Sequence, residues 1–290
     1  MQSTLNFKDT VERNLCLGKY SNTSSYNSRY RSWIQCREKF LLAYQKCTGE
    51  ITQTALDDLS LRLAFYLASW GMYRGSSALL FNDYQVHNSA VEELLDSKYN
   101  SLWNYDPFRQ GTNTLPKWLF NNNGGLRDKY NQIQQETNYP RKTKSSNNCA
   151  SNTLITKVML GTWGCIPAYD EFFKAGLRYF GLSDSLSSNA IQKMIDKLRP
   201  FNEVYQTIDF YVLKGYTAMK IIDAYFWEIG YLSSFANELI SSKKAVSQSR
   251  KDYINNYLVG ILKDCLDDNK KMCKKLQDLL PDKTLLKLGD

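Results

Sequence analysis

Apolar side chains recur along this chain at helical spacing, and the strict alternation that marks a half-buried strand is nearly absent. Trp33, Phe40, Leu41 and Tyr44 follow a helical period, and so do Leu56, Leu59, Leu61, Leu63 and Leu67 within residues 52–67. Asp57 and Asp58 are expected in the first turn of that second helix, where a carboxylate suits the positive end of the helix dipole. Residues 63–80 read as a buried helix, a turn from Gly71 to Gly75, and a new helix capped by Ser76 or Ser77. Further helices are expected over 152–160, 171–180 and 187–198, with Gly161, Gly164, Gly181 and Pro200 as stops. Residues 202–240 give one or two long apolar helices, and 246–280 an amphipathic, heavily charged one. Between them, 104–150 carries loop chemistry broken by a short helix or two: Asn121, Asn122, Asn123, Gly124 and Gly125 in a row, three prolines, and a polar run over 141–148. An all-α fold follows, without internal repeats, in three stretches packed as one unit. These are an N-terminal helical extension (1–50), a helical core (51–240) and C-terminal charged helices (241–290).

Composition narrows the class. At 290 residues the chain can bury one large core or two fused lobes. A mean hydropathy of −0.47, with no apolar run near the length of a bilayer, points to a soluble protein with no membrane partner. Residues 1–17 lack the basic and apolar regions of a secretory leader, and the seven cysteines are scattered, so a reducing cytoplasm is expected; a monomer is the expectation for assembly. The formal charge of +8 favours a polyanionic partner, nucleic acid first, although mildly basic proteins need bind nothing acidic.

Several chemistries lack material. His87 is the one histidine, which leaves little for histidine metal sites or a Ser-His triad, and it reads as an ordinary surface or half-buried residue. There is no phosphate-binding Gly-rich loop, and Cys265 and Cys273 have no second pair beside them, so neither metal nor cofactor is expected. The carboxylates Asp57, Asp58, Glu92, Glu93 and Asp96 show no spacing that would build a Mg²⁺ nuclease site. What stands out is residues 151–180. A helix ends in a Gly/Pro turn, and Asp170 sits where the next helix starts, amid Trp163, Ile166, Tyr169, Phe172 and Phe173. A carboxylate among aromatics suits a cationic, sugar-like transition state or the positioning of a water.

The pattern of Pro167, Asp170, Phe173 and Leu177 resembles the Gly/Pro-rich loop and catalytic aspartate of the helix-hairpin-helix DNA glycosylases. The helix before the loop (153–160), the stretches 188–200 and 211–218 after it, and residues 63–80 are similar to further blocks of that superfamily, so the likeness spans about residues 55–230. A separate block, 66–77, is similar to a stretch in uncharacterised bacterial proteins, which implies a bacterial source. The resemblance implies a two-lobed helical fold with extra terminal helices, acting on double-stranded DNA. It implies Asp170 as the catalytic carboxylate and Trp70, Trp163, Tyr169 and Phe173 as the lining of a base pocket. Met72, Tyr73 and Arg74 would form a loop that probes the duplex. Arg141, Lys142, Lys144, Asn148, Ser151, Asn152 and Lys157 would contact DNA near the hairpin. The implied reaction is base flipping followed by hydrolysis of the N-glycosidic bond. The hairpin's usual Gly-x-Gly is replaced by Ser146, Asn147, Asn148, Cys149, Ala150 and Ser151. The lysine of lyase-type members has no counterpart, its place being near Asn152. A monofunctional, water-using glycosylase for a damaged or a hypermodified base is the expectation, the latter in antiviral defence.

Plainer readings stand beside these. Asp170 also suits a helix N-cap, Lys157 a solvated helix lysine, residues 71–75 an interhelical turn, and the aromatics a core. The whole would then be a helical module that binds nucleic acid or protein without catalysis.

Overall fold

The structure is a computed structural model, and it describes residues 30–46, 50–74, 77–103, 105–109, 114–121, 124–136, 149–199 and 216–241. All regular structure among the described residues is helical. The helices are α1 (Tyr30–Lys46), α2 (Gln53–Ser69), α3 (Asn88–Leu95), α4 (Leu126–Glu136), α5 (Asn152–Gly161), α6 (Glu171–Tyr179), α7 (Ser188–Leu198) and α8 (Ala218–Ser241). Short 3-10 turns at Tyr84–His87, Ser97–Leu102 and Lys117–Phe120 link them. The expected helix over 246–280 and the stretch 202–215 lie outside the described residues.

Local chemistry explains the helix ends. Thr52, Ser151, Asp170 and Ser187 each cap a helix by accepting a backbone N–H with the side chain. Because Thr52 is the cap, Asp57 and Asp58 stand a turn further in than expected. Asp57 accepts the Tyr84 hydroxyl at 2.9 Å and Asp58 pairs with Arg62 at 3.2 Å. α2 closes with Gly71 at φ 74°: Gly71 N–H donates to Ala68 O (3.0 Å) and Met72 N–H to Leu67 O (2.8 Å), a Schellman motif that needs a residue at ease in the left-handed region.

The helix expected after the turn is absent over residues 77–83, and Gly75 and Ser76 lie outside the described residues. Ser77 caps only a turn, through Leu79 N–H, and Asn82 folds its side chain back onto Ala78 O. Asp83 supplies the stronger start, accepting Gln85 N–H at 2.8 Å and opening the 3-10 turn that runs into α3.

Two features organise the core. α6 and α8 cross with glycines at the contact: a side-chain carbon on Gly176 would lie 2.7 Å from the carbonyl carbon of Phe226, and one on Gly230 the same distance from that of Phe172. Around this crossing Phe172 stands edge-on to Trp227 and Tyr231, and Phe173 edge-on to Phe226.

The second feature concerns carbonyls at or just past helix ends, which receive side-chain donors from distant segments. Leu160 O accepts from Trp33 Nε1 (3.0 Å), Leu94 O from Trp163 Nε1 (2.9 Å), Trp70 O from Lys157 Nζ (2.9 Å) and Trp103 O from Arg37 Nη2 (2.9 Å). No helix among the described residues is long and apolar enough to cross a membrane.

Candidate functional site

Asp170 occupies a loop fastened on two sides. Ala168 N–H donates to Asp223 Oδ1 (2.9 Å), which belongs to α8. Tyr169 N–H donates to Thr156 Oγ1 (2.9 Å), and Thr153 Oγ1 donates to Tyr169 O (2.9 Å), both threonines belonging to α5. With its backbone extended at φ −85°, ψ 177°, Asp170 uses Oδ1 to cap α6 at Phe173 N–H (3.1 Å). Its other oxygen, Oδ2, lies 3.7 Å from Lys157 Nζ. The carboxylate is therefore both a cap and half of an ion pair, and with 17% of the side chain exposed it stays within reach of solvent.

Lys157 is not the solvated lysine that its place on a helix suggests. Its side chain is only 8% exposed, because every residue of α5 from Leu154 to Gly161 is buried. Burial lowers its proton affinity, opposed by the charges of Asp170 and Asp223 and assisted by Lys220 and Arg74. The ammonium joins three separated segments: its own helix, Asp170, and the end of α2 through Trp70 O.

Behind this pair lies a second. Lys220 Nζ donates to Asp223 Oδ2 at 2.7 Å, with both side chains almost wholly buried. Lys220 also sits over the rings of Trp70 (4.6 Å) and Trp33 (5.8 Å). Burial raises the Asp223 carboxyl, countered by Lys220.

Of the rings expected around Asp170, Trp70 is half-buried beside Lys220 and Tyr66. Tyr169 and Phe173 are buried and pack on one another at 5.1 Å. Trp163, also buried, packs on Tyr99 at 4.6 Å and lines a cleft with Ile155 and Met159. Each of those α5 residues is two positions from Lys157, so the cleft and Lys157 occupy opposite faces of the helix. Ser151 caps α5 through Leu154 N–H, and Asn152 Oδ1 accepts from Arg127 Nη2 (2.9 Å). Met72 and Tyr73 are half-buried and Arg74 is exposed. Arg141, Lys142, Lys144 and Asn148 lie outside the described residues.

No family model, no curated protein and no solved structure matches the chain.

His87 also departs from expectation: it is fully buried, not at the surface. Its Nε2 meets the Tyr73 hydroxyl at 2.8 Å and its Nδ1 the Tyr130 hydroxyl at 2.9 Å, so the imidazole ties the loop after α2 to α4. No cluster of three metal-ligating side chains occurs among the described residues. Lys220 and Asp223 escaped the sequence reading, although two opposite charges three apart in the otherwise apolar stretch 218–227 signal a buried pair.

Proposed function

We propose that this chain is a monofunctional DNA N-glycosylase in which Asp170 is the catalytic carboxylate. The observation that carries the reading is the meeting of Asp170, Lys157 and the segment from Trp70 to Arg74 through the Lys157 ammonium. These are the carboxylate and the duplex-probing loop implied by the glycosylase resemblance, and they come from distant parts of the chain. Arg74, exposed on that loop, and the net charge of +8 suit a phosphate backbone.

In this mechanism one nucleotide leaves the stack, and the bond from C1′ to the base nitrogen breaks with its electrons departing on the base. Asp170 Oδ2 faces the positive charge that builds on the sugar and orients a water towards C1′. The water's oxygen forms the new bond to C1′, its proton passes to the carboxylate or solvent, and the base picks up a proton from solvent. An abasic site remains. Lys157 holds Asp170 in place and ties it to the loop after α2. Tyr169 and Phe173 support the loop from the core, and the base meets other surfaces, Trp70 among them. The substrate class is a damaged or a hypermodified base, the latter as carried by some viral DNA.

The test is an abasic-site assay of wild type and Asp170→Asn on duplexes with damaged and hypermodified bases, intact viral genomes included. Abasic sites formed by wild type and lost in Asp170→Asn, with DNA binding retained, are expected. DNA binding without any abasic sites, together with a loss of stability in Asp170→Asn, would make Asp170 a helix cap and the protein a non-catalytic helical module.

A further inference from the structure

A cleft of about 430 Å³ opens on the face of α5 away from Asp170, walled by α4, α5 and residues 98–99, 118–121 and 124–126. Its size falls within the usual range of small-molecule sites. Three rings step down into it. Trp118 stands at the rim, 45% exposed, with Tyr99 5.4 Å away and Trp163 a further 4.6 Å inward, itself buried. Ile155, Met159 and Leu126 complete an apolar floor.

The charged groups at the cleft are already engaged. Lys98 pairs with Glu93 (2.8 Å) and Asp96 (3.1 Å), and Glu93 also accepts the Tyr99 hydroxyl. Arg127 donates to Ala150 O and Asn152 Oδ1, at 2.9 Å each. What the cleft offers a ligand is therefore aromatic and apolar surface plus the side-chain amide of Asn121, a donor and an acceptor together. Space also remains at Gly124, where a side-chain carbon would meet nothing within 4 Å.

We propose that this cleft binds a neutral, flat heteroaromatic ring of nucleobase size, stacked on Trp118, at a site separate from Asp170. Ring faces reward a flat π-system, Asn121 reads a hydrogen-bonding edge, and the donors of Lys98 and Arg127 are already turned to other partners. The inference does not rest on the glycosylase reading.

Adenosine and cytidine, with ribose 5-phosphate as the ring-free anionic control, are titrated into the full chain by calorimetry and saturation-transfer NMR. The expected result is binding of at least one nucleoside and none of the control. Trp118→Ala weakens it at least 10-fold, Trp118→Phe by less than 3-fold, and Asp170→Asn leaves it unchanged. Trp118 is half-exposed, so its substitution leaves the core intact. Asn121→Trp, at the exposed rim, blocks the mouth and provides a second test. The proposal is overturned if neither nucleoside binds at millimolar concentration, if binding survives both Trp118→Ala and Asn121→Trp, or if Asp170→Asn abolishes it.

Discussion

Gly176→Ala puts the α6–α8 crossing to a sharp test. In an unpacked helix the change would stabilise by about 1 kcal/mol through helix propensity. Here the new methyl would lie 2.7 Å from the Phe226 carbonyl carbon and 3.0 Å from its Cα, where carbon–carbon contact is comfortable only from about 3.5 Å. The Phe226 carbonyl oxygen stands closer still; all of these obstacles are backbone, so no rotamer change relieves them and the helices must move apart by roughly 1 Å or more. That separation loosens Phe172 against Trp227 and Tyr231 and Phe173 against Phe226. Overpacking costs about 1–3 kcal/mol, and weakened ring pairs add about 0.5–1.5 kcal/mol each. Against a propensity gain of about 1 kcal/mol, a net loss of about 3 kcal/mol is expected. For a domain of this size that lowers Tm by about 6–12 °C. Thermal melts followed by circular dichroism, with urea midpoints as a check, measure it. A Tm equal to or above wild type would refute the close-packed crossing. Gly230→Ala should behave alike, since its methyl would meet Gly176 N at 2.6 Å. The double variant should cost less than the two singles combined, because one separation relieves both clashes.

His87 makes stability depend on pH. Burial holds its imidazole down to about 3, so below ~6.5 the unfolded chain takes up a proton that the folded chain refuses. The contribution is fully present above pH ~6.5 and lost as pH falls, by about 1.4 kcal/mol per unit. Urea midpoints from pH 7 to 5 should show that slope in wild type and its loss in His87→Gln, and a flat wild-type profile would contradict it. Asp223→Ala leaves the Lys220 ammonium buried without its carboxylate and should cost about 3–5 kcal/mol. Adding Lys220→Met should recover much of that loss in a double-mutant cycle, and additive costs would show the pair to be uncoupled. Among the described cysteines, Cys149 is exposed, whereas Cys36 and Cys165 are buried with thiols pushed up by burial, Cys165 to about 12. Iodoacetamide followed by peptide mass mapping should label Cys149 in the native protein and spare Cys36 and Cys165.

Helix positions were legible because caps and periodicity act locally. Ser151, Asp170 and Ser187 each stand where a polar side chain meets the start of an apolar period, and the helices begin there. The region after Gly75 misled because Ser77 is a good cap in isolation, yet Asp83 starts the next helical turn instead. At the candidate site Asp170 and Lys157 could each be singled out, but their pairing could not. Lys157 reads as a surface lysine until its stretch of α5 is known to be buried. His87 was misjudged for the same reason, since its place in the core depends on hydroxyls from Tyr73 and Tyr130. Lys220 and Asp223 would have been accessible from charge placement alone. The cleft would not, because Trp118, Tyr99 and Trp163 come together only through tertiary packing.

The carbonyls caught at helix ends carry a consequence for how the chain reaches this structure. Trp33 meets Leu160, Lys157 meets Trp70, Trp163 meets Leu94 and Arg37 meets Trp103, at separations of 127, 87, 69 and 66 residues. None of these ends is completed until a segment far along the chain arrives. Such long loops must close before their contacts stabilise anything, which favours slow, cooperative folding even in an all-helical protein. A fragment that stops short of α5 would leave the Leu94 and Trp70 carbonyls without their donors, so α1, α2 and α3 should melt together with α5 and not in sequence.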